Sequence, residues 1–561
     1  MIALLAAAIT VTYRIGALAL IIPDEGRNAE VAREMKETGS WLVPTYNGLP
    51  YLDKPAFYFK AVGLSLAAFG DNEFAARLPS ALFGLGVLTL VGLFTRRECG
   101  ARPAALAVLV VATLPLFISQ ARLVIFDIAL GFFVCGSIVC GYLAESAEGT
   151  TRRRWYILAT ASAGVATLVK GPVGFVVPLV VLIAFHASER RWSAIGRLFH
   201  PLNFLILFAV VLPWFFGVSR AHPDFPHYGI IEESFNRFTT PKFRRTQPAY
   251  YYLLMLPATF FPWSLLLPGA AVAALKRWTS LPRISRFCII WCVSVVVFFS
   301  LSQSKLPAYI LSVVLPFGML AAQFWDSALS HPTGVAARIG RASAVVLAVI
   351  GGLLAAGLII VAPQTGILPT PITIPRVDLT PFLPSFIPVL AMLLLVAATA
   401  GIGAFRKDSR RALLAFALLP VLLVLLGGGI FNAIFERRST RRMAAQLRQQ
   451  LPAGTELVFL RCFPNGLPFY LGRTGTLITT DGGELTSNYV QYSLKRTPQW
   501  PAGVVPLNEF DTWLATRRGP VYLMVQDNEQ DRFQALARER GATVDRLDRR
   551  FQGVLLLPRG S

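Results

Sequence analysis

The sequence predicts a polytopic α-helical membrane protein with a C-terminal soluble α/β domain. Three observations carry this expectation. The 561 residues are 54% hydrophobic and only 15% charged, where a soluble domain would carry about 25%. Apolar stretches near the bilayer-spanning length of about 20 residues recur up to position 434. Past that point, short apolar strands such as 457–460 and 521–525 alternate with helical patterns such as 533–540. The mean hydropathy is +0.56.

About thirteen spans are expected, at 2–23, 76–95, 103–120, 127–144, 155–170, 172–187, 202–219, 250–274, 286–302, 306–325, 342–362, 384–404 and 412–434. The opening stretch lacks a basic flank and a small-residue cleavage site, so it reads as a first span. The stretch 57–70 is apolar but short, as in a re-entrant or interfacial helix. Residues 1–434 then form the membrane domain and 435–561 the α/β domain. No pair of matching broken helices marks a transporter-like internal repeat.

Every second loop is basic: Arg96, Arg97 and Arg102; Arg152, Arg153 and Arg154; Arg190, Arg191 and Arg197; Lys276, Arg277, Arg283 and Arg286; Arg338 and Arg341; Arg406, Lys407, Arg410 and Arg411. Basic loops face the cytoplasm. The loops 24–75 and 220–249 and the tail lie on the opposite face. The net charge of +22 implies anionic partners, either membrane-lipid headgroups or phosphorylated substrates. Of the six cysteines none forms a CxxC pair, and the five histidines are scattered, so neither a disulfide framework nor a zinc site is indicated.

The first outer loop reads DEGRNAEVAREMKETGSWLVPTYNGLPYLDKPAFYFK over 24–60. A helix is expected from Asp24, its N-cap, to Gly39. Ala29, Ala32 and Met35 give it a thin apolar stripe, suited to lying along the membrane surface. Spacing alone leaves Asp24 open between a capping role and a chemical one. The crowding of Asp24, Arg27, Asp53 and Lys54 at a lipid boundary favours chemistry. Asp127 opens an otherwise apolar span at the outer face, where an ionisable group is a functional-site candidate by default. The alternative is an interfacial acid paired with Arg122. Lys170, Arg237 and Lys305 recur at outer span ends. Each alone reads as a snorkelling side chain; converging, they would clamp phosphate.

These residues carry a resemblance. DExRxAExAREMxxxGxWLVPxxNGxxYxxKP over 24–55 resembles the bacterial polyprenyl-phosphate-sugar glycosyltransferases of the GT-C type, together with FxARLPSALFG (74–84), Asp127, LVKGPVG (168–174) and SxSKLPAYIL (302–311). Within that class it is most similar to the transferases that move 4-amino-4-deoxy-L-arabinose from undecaprenyl phosphate to lipid A. The family form AxRYAE reads EGRNAE here, with Asn28, and KPPL reads KPAF.

The resemblance implies Asp24 and Asp127 as catalytic acids and Lys54 as the first ligand of the donor phosphate. Arg27, Lys170 and Arg237 support it, and Tyr51, Asp53, Lys305 and Tyr309 are further substrate-binding candidates. It implies an undecaprenyl-phosphate glycolipid donor, a lipid A acceptor, no metal or other cofactor, no nucleic acid, and a monomer in the bacterial inner membrane. The active site and the tail would face the periplasm. Transfer of another sugar or to a protein hydroxyl remains open, as does a lipid flippase, which would leave its glycolipid chemically intact.

Overall fold

The computed structural model describes residues 1–240, 246–361, 382–497, 499–526 and 530–557. Positions 241–245 of the second outer loop, position 362 at the end of one expected span and the terminal 558–561 lie outside the described residues. Eight described helices are long and apolar enough to cross a bilayer: Glu73–Cys99, Asp127–Ala144, Trp192–Ala221, Arg283–Leu301, Pro307–Ser330, Val335–Ile360, Ser385–Phe405 and Ser409–Leu426. Two further stretches are broken. Ala101–Ala112 and Pro115–Arg122 bend by 68°, and Tyr251–Thr259 and Trp263–Lys276 by 115°. Pro115 and Pro262 sit at these breaks, because proline removes the N–H that would continue the helix.

The three other expected spans coincide with Ile2–Thr12, Gly149–Lys170 and Val173–Ser188. The first corrects the sequence reading of 2–23: the helix stops at Thr12. Arg14 adopts φ 50, a left-handed conformation that an α-helix does not accommodate. The stretch near 57–70 forms Phe57–Phe69, which at about 1.5 Å per residue falls short of a bilayer core of about 30 Å.

The chain divides into two compact units. The membrane unit comprises Met1–Ile15, Ser80–Pro213 and Ser234–Ala433. In it Asp127–Ala144 packs closely on Gly149–Lys170 and Val173–Ser188. Small residues allow the approach, as is usual between helices in lipid: a Cβ on Gly141 would meet Leu182 at 2.5 Å, and one on Gly136 would meet Ser162 Oγ at 3.1 Å.

The second unit comprises Gly16–Pro79, Trp214–Glu233 and Ile434–Ser561, so the first loop folds together with the tail. The loop contributes the helix Asp24–Thr38, the hairpin β1 (Thr45–Tyr46) and β2 (Leu49–Pro50), and Phe57–Phe69. The hairpin turns on Asn47 and Gly48, both at positive φ, the pattern a two-residue turn requires. The tail holds β3 (Glu456–Leu460), β4 (Thr476–Thr479), β5 (Val504–Pro506), β6 (Val521–Gln526), β7 (Val544–Arg546) and β8 (Phe551–Leu556). They form one sheet in the order β5-β4-β3-β6-β8-β7, in which β3 to β6 pair parallel and β7 and β8 join antiparallel.

The strand order reverses between β3 and β6, where a doubly wound sheet ordinarily opens a ligand crevice. Here the connection leaving β3 is spent on the first loop. Tyr46 donates to Asn465 and packs its ring edge-on to Phe463 at 5.4 Å. A Cβ on Gly26 would meet Gly466 Cα at 2.7 Å.

The apolar stripe of the helix Asp24–Thr38 is covered by protein: Ala29, Ala32 and Met35 are fully buried. Every residue from Glu25 to Met35 is buried, and its charges are matched inside the unit. Arg33 binds Glu30 through two hydrogen bonds of 2.6 Å. Glu34 accepts from the backbone of Asn47 (2.6 Å) and Gly48 (3.0 Å). Glu25 takes Arg77 at 2.8 Å through both oxygens. Buried charges persist only when paired in this way. The charged motif 24–37 is thus largely a folding scaffold, and Arg77 of the second motif is its partner.

Candidate active site

In the second unit, Asp24 is the first residue of its helix. Pro23 occupies the capping position and no side chain caps the helix, so Asp24 is not the N-cap. It lies in the first turn, where the helix dipole favours an anion. Arg27 Nη2 reaches it at 2.6 Å, yet the Asp24 side chain stays 52% exposed. Arg27 is buried, donates to Thr486 O and Oγ1 at 3.1 and 2.8 Å, and lies 5.8 Å over the Tyr51 ring. Burial works against its charge, but the carboxylates near it, Asp24 and then Asp53, favour the charged form, and the pKa is raised. Burial pushes the Tyr51 phenol up despite Arg27, so Tyr51 is a neutral hydrogen-bond donor.

Lys54 and Asp53 are both buried. The Lys54 ammonium is held by Glu233 and by Asp53 O at 2.6 Å. Asp53 accepts from Tyr228 Oη at 2.5 Å and from the backbone N–H groups of Asn488 (3.1 Å) and Tyr489 (2.9 Å). The latter open the helix Asn488–Leu494, so Asp53 works as an anchor for the tail. Glu233 and Tyr228 lie on a nine-residue π-helix, Tyr228–Asn236, a geometry frequent at functional sites. Sequence reasoning weighed this stretch only for Arg237; the paired acids Glu232 and Glu233 in front of it were the available signal.

In the membrane unit, Asp127 is likewise the first residue of its helix. Its side chain is 7% exposed and bound to Lys170 at 2.5 Å. Lys170 ends Gly149–Lys170 and lies 4.4 Å from the Tyr309 ring centroid and 5.2 Å from that of Phe126. Pairing of Asp127 with Arg122 does not occur: Arg122 donates instead to Thr10 O and Tyr13 O. Asp127 and Tyr309 line a narrow cleft whose other walls include Leu130, Val134, Val177 and Phe299. Lys305 is buried and donates to Ser302 O and to Gln247 O (2.8 Å). Arg237 is half-buried, in the short helix Arg237–Thr239. Among the described residues no three His, Cys, Asp or Glu side chains converge as metal ligands.

Each cluster pairs a carboxylate with a cation beside an aromatic ring. Such a set can hold hydroxyl, ammonium and phosphate groups by charge-assisted hydrogen bonds.

Residues 4–229 match the family model described as dolichyl-phosphate-mannose-protein mannosyltransferase. A relative from Shewanella sediminis, the undecaprenyl phosphate-alpha-4-amino-4-deoxy-L-arabinose arabinosyl transferase, is 31% identical over 55% of this chain and 56% of its own length. The chain thus spans little more than half of that relative. The protein of the same name from Erwinia tasmaniensis is 27% identical over 92% of this chain and 91% of its own. Among solved structures, ArnT from Cupriavidus metallidurans bound to undecaprenyl phosphate superposes with a TM-score of 0.80 at 27% identity, covering 99% of this chain and 96% of its own. The helical fold, the two acid–cation clusters and these likenesses agree: the chain is similar over nearly its whole length to transferases that use undecaprenyl-phosphate-linked aminoarabinose.

Proposed function

We propose that the protein transfers 4-amino-4-deoxy-L-arabinose from undecaprenyl phosphate to phosphate groups of lipid A, at the periplasmic side of the bacterial inner membrane. The observation that carries this reading is the end-to-end structural likeness to a transferase solved with undecaprenyl phosphate. Residues 1–434 would be the membrane domain, with the outer loops 24–75 and 220–249, and 435–561 the periplasmic α/β domain. The alternation of basic loops supports that orientation.

In the reaction an acceptor phosphate oxygen attacks the anomeric carbon. The bond from that carbon to the donor phosphate oxygen breaks, and its electron pair leaves on undecaprenyl phosphate. The second pKa of a phosphomonoester is about 6, so the departing phosphate is an adequate leaving group where cations receive it. Lys54 is the first candidate, with Arg27, Lys170 and Arg237 in support. The acceptor is already anionic and needs no strong base. Asp24 and Asp127 would therefore hold the sugar's ammonium and hydroxyls and keep the anomeric carbon in line. Tyr51 and Tyr309 can donate to the same polar groups. Asp53 and Lys305 act behind them, one anchoring the tail and one bridging backbone carbonyls.

Mass spectrometry of lipid A from cells with and without the protein tests this. A pentosamine on the phosphates is expected only with the protein. The mannosyltransferase family match supports a second reading, a protein hydroxyl acceptor, which would need a base because a hydroxyl is a poor nucleophile while protonated. Transfer to a peptide hydroxyl, with lipid A unchanged, would replace the first reading by the second.

A further inference from the structure

The membrane unit has a second charged cavity, at the end that carries the basic loops. It measures about 340 Å³ and is lined by Phe185, Ser188, Glu189, Arg191, Trp278 and Arg286. Four arginines meet two carboxylates around it. Glu145 binds Arg191 at 2.9 Å and Arg197 at 2.6 Å. Glu189 binds Arg283 at 2.9 Å and sees Arg191 and Arg286 only at 3.9 Å. The cluster therefore keeps a surplus of two positive charges.

Arg286 is the incompletely used member. At 3.9 Å its carboxylate contact is too long for a hydrogen bond, and its buried Nε has no hydrogen-bond partner among the described residues. A buried donor is ordinarily satisfied, so the geometry calls for an anionic acceptor in the cavity. Arg286 also heads an apolar stripe. Val293 and Val297 follow at i+7 and i+11, on the same helical face, and are 55% and 51% exposed. Trp278, at the lip, is of the type that marks a membrane–water boundary. A cationic pocket above a lipid-facing stripe fits a phosphoryl headgroup whose acyl chains run down the helix.

We propose that this cavity binds the phosphodiester headgroup of an anionic phospholipid in the leaflet facing the basic loops, through Arg191 and Arg286. Native mass spectrometry of the full-length protein tests it, with dioleoylphosphatidylglycerol, dioleoylphosphatidylcholine and inorganic phosphate as probes. The wild-type protein should retain phosphatidylglycerol in preference to phosphatidylcholine. Arg286→Gln should cut that retention about tenfold, the scale of one charge-assisted hydrogen bond, and Arg286→Lys should restore part of it. Arg286→Gln removes none of the cluster's hydrogen bonds, and an unchanged melting temperature in the absence of lipid confirms a folded variant. Arg191→Gln is the second arm. Equal retention of phosphatidylglycerol by the wild type and both glutamine variants would overturn the proposal. Displacement of the lipid by millimolar inorganic phosphate would overturn the lipid occupant and assign the pocket to a soluble anion.

Discussion

Asp24 and Asp127 are built alike and kept differently. Each is the first residue of a helix and each meets one cation, Arg27 or Lys170. Asp24 keeps half its side chain exposed, while Asp127 keeps 7%. The Asp24 region is organised by polar contacts between the first loop and the tail. The Asp127 region is organised by apolar helix packing that leaves one ion pair inside. One local device therefore carries two energetic loads: an exposed pair is worth about 0–1 kcal/mol, whereas breaking a buried pair costs about 3–5 kcal/mol.

The largest expected effect is on turnover. Asp24→Asn and Asp127→Asn should each slow transfer at least about 100-fold, because a misplaced reacting centre costs that much. The melting temperature separates them: Asp127→Asn should lower it and Asp24→Asn should not. Asp127→Asn with Lys170→Met should recover stability and not activity. Equal melting temperatures for the two single variants would erase the contrast in load, and normal turnover would remove an acid from the site.

Next in size is Lys54→Ala, for which initial rates against donor concentration should show KM raised about tenfold, the worth of one lost phosphate contact. An unchanged KM would move the phosphate clamp to Lys170, Arg237 or Lys305. Gly26→Val then probes the polar region alone. Its Cβ would fall 2.7 Å from Gly466 Cα, and backbone on backbone cannot yield, so a loss of about 1–3 kcal/mol is expected. Limited proteolysis should show a more readily cleaved tail.

The smallest effect is on pH dependence. The rate should rise as pH increases through about 6, where the acceptor phosphate takes its second charge, and then level off. Assayed with a dephosphorylated lipid, the protein should be inert; a rate that kept climbing above neutrality would instead indicate a titrating base and a hydroxyl acceptor.

Much of this was legible in advance. Every expected span falls at least in part on a helix, the first only as far as Thr12 and those at 103–120 and 250–274 on bent pairs, and the strands expected at 457–460 and 521–525 fall on β3 and β6. Asp127 stood out because an acid in an apolar stretch is costly wherever the chain goes. The first-loop helix was foreseen and its setting was not. A thin apolar stripe reads as a surface helix until the partners of its charges are known.

Local composition by itself determined which segments enter lipid, which form the α/β tail and where charge is expensive, because hydropathy and strand or helix period are properties of short windows. The pairings were decided only by the tertiary structure. Glu25 meets Arg77 across 52 positions, Lys54 meets Glu233 across 179, and Asp53 meets Tyr489 across 436. A buried charge must find a partner, and packing alone chooses which distant residue supplies it. For that reason the sequence offered Asp53 and Lys54 as ligands for substrate, while the fold shows one anchoring the tail and the other held by Glu233.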